Sequence, residues 1–344
     1  LGRENKDVIG NYRELLKGAL WERIVLLCDP VKGKRGSAAL TANLADAVRI
    51  FIKQEPHKLV KIEAGRLRII ASVSLLDSLV ERCLYQRRAK REISRWTEIP
   101  SKPGMGASDE NIQQLAAEID KMVADLGCDL DSDVNGWDWQ LKWWCFLAAL
   151  YVDFVLMDVV AYSDYFNAMT SRELAAMYPV LCDSKGSLYE LVEAIMGSGR
   201  FVTSYKNSRK RTLLSSIAGT RCICMGDDCN EAPLPGVSIE SVRSSYRSMG
   251  YPDSCFEVTE NVTLAGTIFC SLRFYLKEDG SCSAEPVRWI RSLYRLLSKA
   301  YTVADLAQFE HEVRNCREYQ ECEQLRKFLV ASAVARVGAP QSLS

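Results

Sequence analysis

Arg221-Cys-Ile-Cys-Met-Gly-Asp-Asp-Cys229 decides how the rest of this chain is read. Arg221 to Met225 reads as a buried strand, and Gly226-Asp227-Asp228 as the tight turn that ends it and leads into a short return strand. Two adjacent carboxylates on such a turn can hold a divalent cation. The tripeptide alone decides little, because at average residue frequencies it occurs in roughly one chain of this length in fifteen. Its weight comes from two companions upstream, in fixed order. Asp133-Val-Asn-Gly-Trp-Asp138 gives two carboxylates five residues apart. Ser198-Gly199, then Thr203 and Asn207, gives a glycine turn followed by two polar residues on one helical face. Those four fixed positions match by chance in about one chain in several hundred.

The three motifs together suit nucleotidyl transfer. That chemistry uses two metal ions about 3.5–4 Å apart, one activating the attacking hydroxyl and one stabilising the leaving pyrophosphate. Asp133 ends a strand expected over 128–134, and Asp227 sits at a hairpin tip, so the two can meet across one sheet edge. Asp228 would be the weaker ligand. Taken alone, Asp133 reads equally well as a turn residue before Asn135-Gly136. An N-capped helix with a polar stripe would likewise explain Ser198 or Thr203, but not their place between the two acidic motifs.

Outward from these motifs, helices are expected over 75–96, over 109–126 with Ser108 as N-cap, from about Trp137, over 188–196, 203–218 and 239–249, and from Pro286 onward. Residues 1–50 read as mostly helical, with a break at Asp29-Pro30 and a Lys32–Gly36 loop. Residues 51–74 read as extended, with turns at Glu55-Pro56 and Ala64-Gly65, and Thr267 to Leu276 as two short strands. The pattern is α+β, a small sheet with helices on one face. Trp143 to Tyr162 is the longest apolar stretch, but Asp153 and Asp158 interrupt it, so it reads as a buried helix rather than a membrane span.

Net charge is zero over 344 residues, and 48% apolar content is ordinary for a globular chain. The charges are segregated: residues 53–95 hold eleven Lys/Arg against five Asp/Glu, and residues 109–138 hold nine Asp/Glu against one Lys. A phosphate-binding wall beside a metal-binding wall would look this way, and so would two solvated helix faces. Alternation puts Arg66 and Arg68 on one side of a strand, where they could grip a triphosphate or merely guard a sheet edge. Arg87-Arg-Ala-Lys-Arg91 reads more readily as a solvated helix face, and the tryptophans at 137, 139, 143 and 144 as packing. Thirteen cysteines without a C-x-x-C, beside two histidines, suggest reduced thiols rather than a zinc framework.

The chain resembles the polymerases of positive-strand RNA viruses, most closely the sobemovirus-like group of plant, fungal and invertebrate viruses. The residues behind the closer match are Phe51-Ile-Lys-Gln-Glu-Pro-His-Lys58, Ser72-Val-Ser-Leu-Leu-Asp77, Ile99-Pro-Ser-Lys-Pro-Gly-Met-Gly106, Ser132-Asp-Val-Asn-Gly-Trp-Asp-Trp139 and Met225-Gly-Asp-Asp228. The resemblance implies a right-hand fold: fingers over 1–126 with motif F at 51–74, palm over 127–164, a fingers insertion over 165–195, palm again over 196–280, and thumb over 281–344. It implies Mg²⁺, with Mn²⁺ as an alternative, held by Asp133, Asp227 and Asp228. Asp138, Ser198, Thr203 and Asn207 would surround the incoming ribose, and Lys53, Arg66 and Arg68 would meet the triphosphate. Gly199 and Phe269-Cys270-Ser271 would face the template and primer strands.

The implied partners are an RNA template, a primer or product strand, ribonucleoside triphosphates and other viral replication proteins, a genome-linked protein among them. The implied setting is the host cytoplasm, in a membrane-associated replication complex without a transmembrane segment of this chain. Asp138 with Asn207 favours ribonucleotides over the deoxyribonucleotides of a reverse transcriptase, and intact acidic motifs argue against a non-catalytic RNA-binding scaffold. Two departures stand out. No lysine lies between Lys210 and Lys277, where many such polymerases carry a proton donor. The chain starts at Leu1 with only about fifty residues before motif F, so a processed product or fragment lacking part of the fingers is expected.

Overall fold

The computed structural model describes residues 5–29, 33–53, 55, 59–298 and 301–337; the expected break at Pro30, and Gln54 and Pro56, His57 and Lys58 of the basic segment, lie outside them. In chain order come α1 (Asn5–Asn11), α2 (Arg13–Cys28), α3 (Gly36–Thr41), β1 (Val48–Ile52), α4 (Leu59–Glu63), β2 (Ile69–Ser72), α5 (Leu75–Ser94) and α6 (Asp109–Leu126). Next are β3 (Asp129–Val134), α7 (Trp137–Gln140), α8 (Trp143–Leu156), α9 (Asp164–Met177), β4 (Val180–Cys182), β5 (Leu188–Glu190), α10 (Thr203–Ile217), β6 (Thr220–Met225), β7 (Asp228–Pro233) and α11 (Ile239–Ser248). The remainder is β8 (Phe256–Asn261), β9 (Ile268–Phe269), β10 (Leu272–Leu276), β11 (Cys282–Pro286), α12 (Trp289–Leu297), α13 (Val303–Val313), α14 (Arg317–Glu321) and α15 (Glu323–Val337).

The chain divides into two compact units. The first comprises residues 1–54, 59–104 and 132–258, the second residues 55–58, 105–131 and 259–344. Two sheets have strands in the first unit. One runs β6-β7-β3-β8, and its hairpin β6–β7 pairs Thr220 with Pro233 through to Met225 with Asp228. Behind it α10, α8 and α11 pack a core of Val134, Trp137, Phe146, Leu214 and Tyr246, with Tyr246 stacked on Phe256 at 3.8 Å between ring centres. The other sheet runs β2-β1-β4-β5; β1 and β2 are antiparallel with Phe51 opposite Ile70. In the second unit, Ser108 caps α6 by accepting a hydrogen bond from Asn111 N, as the sequence predicts, and Gly127 ends it at φ 89°. The face of Ile112, Leu115, Ile119 and Met122 is buried. Gln113 on α6 receives a hydrogen bond from Cys282 N on β11, and α12 to α15 close around Trp289, Phe309 and Tyr319.

Several expectations are corrected. The extended reading of 51–74 fails at Leu59–Glu63, which is helical, because Gly65 at φ 64° is a helix C-cap: Arg66 N reaches back to Lys61 O and Gly65 N to Ile62 O. Arg66 and Arg68 therefore precede β2 rather than lying in it, although Lys53 N still donates to Arg68 O and prolongs the β1–β2 ladder. The helix expected over 188–196 is absent. Asp183 Oδ1 instead accepts from Lys185 N and Ser187 N, which turns β4 into β5, and the backbone amides of Ile195 and Met196 are drawn to Met177 O and Asp138 O. A strand, β11, runs up to Pro286, and the helices begin at Trp289.

α8 is only half buried. Trp143, Leu147, Tyr151 and Val155, four residues apart, are exposed, whereas Asp153 is buried. Asp153 turns inward because Arg209 and Lys206 are there to pair with it. Among the described residues no helix is long and apolar enough to cross a membrane.

Candidate active site

All three motifs fall in the first unit, and α10 holds them in place. Residues 206–211 of this helix, Lys-Asn-Ser-Arg-Lys-Arg, are buried one after another, so this polar stretch is enclosed all the way round. Ser208 Oγ accepts from Gly226 N at 2.8 Å and donates to Ser204 O at 2.8 Å. This bond anchors the two-residue turn Gly226-Asp227, whose first position stands at φ 69°, a conformation glycine adopts without steric cost. Asp227 and Asp228 are exposed at its tip. One turn further along, Arg211 is wholly buried and donates to Tyr246 OH, to Glu231 and to Ser132, including Ser132 O at 3.3 Å. It thereby ties β3, one residue before Asp133, to β7, one hairpin arm from Asp227.

The other edge of β6 is braced as well. Cys224 N donates to Pro100 O at 2.9 Å and Lys102 N to Cys224 O at 2.7 Å. Lys102 is buried, with its Nζ on Trp96 O and Ile99 O. The Ile99–Gly106 signature is thus, in its first half, a sheet brace.

Asp133 and Asp227 converge. Partial burial raises the Asp133 carboxyl above its ordinary value, the Asp227 charge raises it further, and Arg211 opposes both. Asp138 stands on α7, where Gly136 at φ 72° turns the chain after β3. Burial pushes its carboxyl up to about 6, Asp227 adds to the shift, and Lys210, Arg68 and a hydrogen bond from Asn207 work against it. Lys210 is itself buried over the Phe146 ring, 3.5 Å from its centre, and burial brings it down to about 7. Two carboxylates that repel one another, one on a strand and one on a hairpin turn, form a hard oxygen donor set that fits a divalent cation such as Mg²⁺.

The other expected residues have definite places. Asn207 is buried and bonded to Asp138, and its Oδ1 has no protein partner. Arg68 lies within electrostatic reach of Asp138, with Lys53 on its backbone and Arg66 exposed in the same segment. Ser198 Oγ accepts from Ala71 N at 3.2 Å. Gly199 N donates to Ala71 O at 3.0 Å, and a Cβ on Gly199 would stand 2.5 Å from that oxygen. Thr203 Oγ1 donates to backbone carbonyls at Gly197, Ser198 and Arg200. The close approach at Ser198-Gly199 is thus to β2. In the second unit Phe269 is buried, and Cys270 and Ser271, at φ 52° and 62°, form the turn between β9 and β10.

Sequence reasoning missed Ser208, Arg211 and the ion network under the motifs. Arg200 pairs with Glu81 at 2.8 Å and Glu173 at 3.0 Å, Lys206 with Glu173 at 2.6 Å, and Arg172 with Asp77 at 3.0 Å, all buried. Burial alone would raise the Glu173 carboxyl, but Arg200, Lys206 and Lys210 together hold it well below its ordinary range. The available signal was the polar run on α10, which has no apolar stripe of its own to bury.

Residues 37–118 and 129–252 match the family profile described as viral RNA-directed RNA-polymerase. The chain is 33% identical over 312 residues to the replicase polyprotein P2AB of Southern bean mosaic virus, a match covering 87% of this chain and 31% of that protein. It is 29% identical over 360 residues to the RNA-directed RNA polymerase of Mushroom bacilliform virus, covering 100% of this chain and 82% of that one. Among solved structures, the Sicinivirus 3Dpol RNA-dependent RNA polymerase superposes with a TM-score of 0.61 at 14% identity, over 80% of this chain and 57% of that chain. At that identity the likeness concerns the fold, the right hand of viral RNA polymerases. With its three motifs gathered around one buried polar helix and the matching profile spanning them, the chain belongs to the viral RNA-directed RNA-polymerase family.

Proposed function

We propose that this chain is the catalytic part of a viral RNA-directed RNA polymerase, extending a primer on an RNA template with ribonucleoside triphosphates. The observation that carries this reading is the convergence of Asp133, from a strand, and Asp227, from a hairpin turn, with the Asp138–Asn207 pair beside them. Asp133 and Asp227, with Asp228 at the same turn, would hold the divalent ions, Mg²⁺ or Mn²⁺. When bound, these ions activate the primer 3′-hydroxyl and stabilise the pyrophosphate that leaves as the hydroxyl joins the α-phosphate.

The chain's own residues bind and orient. Arg68, with Lys53 and Arg66 in the same segment, neutralises triphosphate charge. Asp138 accepts a hydrogen bond from the ribose 2′-hydroxyl, and Asn207 holds Asp138 in place while offering its unpartnered Oδ1 to the same sugar. Ser198, Gly199 and Thr203 shape the turn that borders the ribose and template. Phe269, Cys270 and Ser271 support the primer strand. The replicase polyprotein name of one relative suits a protein that works with other viral replication proteins, a genome-linked protein among them, in a membrane-associated complex in host cytoplasm.

The test is primer extension on a defined RNA template, with ribo- or deoxyribonucleoside triphosphates, with and without Mg²⁺. Ribonucleotide incorporation that requires Mg²⁺ is expected. Folded protein that binds the template and extends nothing, or that uses both sugars equally, would overturn the assignment.

A further inference from the structure

The hairpin that carries Asp227 brings three thiols together on the buried side of its sheet. Cys222 and Cys224 lie two apart on β6 and so share a face, and Cys229 on β7 is directly opposite Cys224. The backbone N–H and C=O of Cys224 are taken by Pro100 O and Lys102 N on the other edge. The Cys224–Cys229 pair is therefore the non-hydrogen-bonded kind, whose side chains stand closest. The three Sγ atoms all lie within 4.8 Å of one another, and Cys224 and Cys229 are 3.2 Å apart. All three residues are buried, and among the described residues no other such group of metal-binding side chains occurs.

We propose that Cys222, Cys224 and Cys229 form a site for a soft, thiophilic divalent ion of the zinc and cadmium type, distinct from the acidic site at the turn above. Sulfurs bound tetrahedrally to zinc at about 2.3 Å stand roughly 3.8 Å apart, above the 3.2 Å of Cys224–Cys229 and inside the 4.8 Å that bounds all three, so the cluster closes on an ion by small side-chain movements. Ser215 Oγ on α10, 3.5 Å from Cys229 Sγ, is an oxygen placed for the fourth position. Three thiolates and a divalent ion leave one net negative charge, and the buried Arg211 guanidinium, which it shares with Glu231, lies within electrostatic reach of Cys224 and Cys229. Thiolate donors favour such an ion over Mg²⁺, which prefers the oxygen donors at the tip. A bound ion would staple β6 to β7 directly beneath the two-residue turn that aims Asp227.

The experiment uses the full chain, reduced and stripped of metal, titrated with Cd²⁺ in excess Mg²⁺. The ultraviolet thiolate-to-cadmium charge-transfer band and the thermal unfolding midpoint are followed together. One equivalent of Cd²⁺ should saturate the band and raise the midpoint, because an ion bound only by the folded state stabilises it. Cys222→Ala and Cys229→Ala should each lose the band and the upward shift, and the double variant Cys83→Ser with Cys322→Ser, at exposed positions, should keep both. Template binding by each variant, measured by fluorescence anisotropy, establishes that it is folded. Folded wild-type protein without a saturable band overturns the proposal. So does a band that survives in the cluster variants, and so does recovery of Cys224 and Cys229 as a disulfide that reforms after reduction, which would make the cluster a redox pair.

Discussion

Asp138 illustrates how the site works at the scale of one residue. Its carboxyl titrates near 6 because burial and the Asp227 charge both disfavour the ionised form. Between the ordinary value of 3.8 and about 6, the folded protein keeps a proton that the unfolded chain has released, so this group's contribution to stability falls as pH rises through that window. A cation at the site reverses the balance, since it favours the ionised carboxylates. Apparent Mg²⁺ affinity, measured by calorimetry, should therefore climb as pH rises through about 6 and level off above it; an affinity flat with pH would contradict this account of the electrostatics. The same residue should select the sugar. Asp138→Ala or Asn207→Ala should lower the ratio of kcat/KM for GTP over dGTP by about ten- to a hundred-fold, the worth of one lost hydrogen bond of about 1–3 kcal/mol. An unchanged ratio in both would move the sugar reader elsewhere. That Asp133, Asp138, Asn207 and Asp227 come together was legible in the sequence from their types and their order along the chain. Ser198 and Gly199 were legible as a turn, but their contact with Ala71, far away in sequence, was not.

At the scale of elements, α10 does what a strand or loop could not. A helix whose polar middle stretch is buried reaches both the Asp133 strand, through Arg211, and the Asp227 turn, through Ser208. Ser208→Ala should leave the buried-side amide of Gly226 without its acceptor, at a cost of about 1–3 kcal/mol. Nucleotide incorporation should then fall more than template affinity, and if both stayed at wild-type level the turn would be held by something else. Beneath the helix, Glu173→Ala removes the shared partner of Arg200 and Lys206. An uncompensated buried charge typically costs about 3–5 kcal/mol, which should appear as a large drop in the urea midpoint, while a loss under 1 kcal/mol would show that water enters the network. Periodicity found α5, α6 and α11, whose serine caps and apolar faces are local, and α10 was anticipated without either. It failed at 188–196, where Asp183 builds a hairpin from side-chain hydrogen bonds, and at Leu59–Glu63, where Gly65 caps a helix instead of turning a strand. Nor does it announce that Lys206–Arg211 are buried, since their acidic partners at 92, 153, 173 and 231 approach only in three dimensions.

At the scale of the whole molecule, the α+β class and the motif order were both readable from the sequence, because a polymerase site needs hard ligands from separate strands and a helix to join them. Less of the second unit was readable. β11 packs on α6 across a long stretch of chain, and no local pattern in Cys282–Pro286 announces that pairing. The profile match spans the motifs and stops at residue 252, so most of the second unit is known from the structure and from full-length relatives alone. The central claim is that Asp133 and Asp227 place divalent ions at the reacting phosphate. It is tested most directly by single-nucleotide incorporation at saturating Mg²⁺, comparing wild-type protein with Asp227→Asn, alongside template affinity and the unfolding midpoint. The account predicts a rate reduced at least about a hundred-fold with affinity and stability nearly unchanged, because the substitution removes a charged metal ligand from an exposed turn and little else. A variant that keeps more than a tenth or so of the wild-type rate would contradict it.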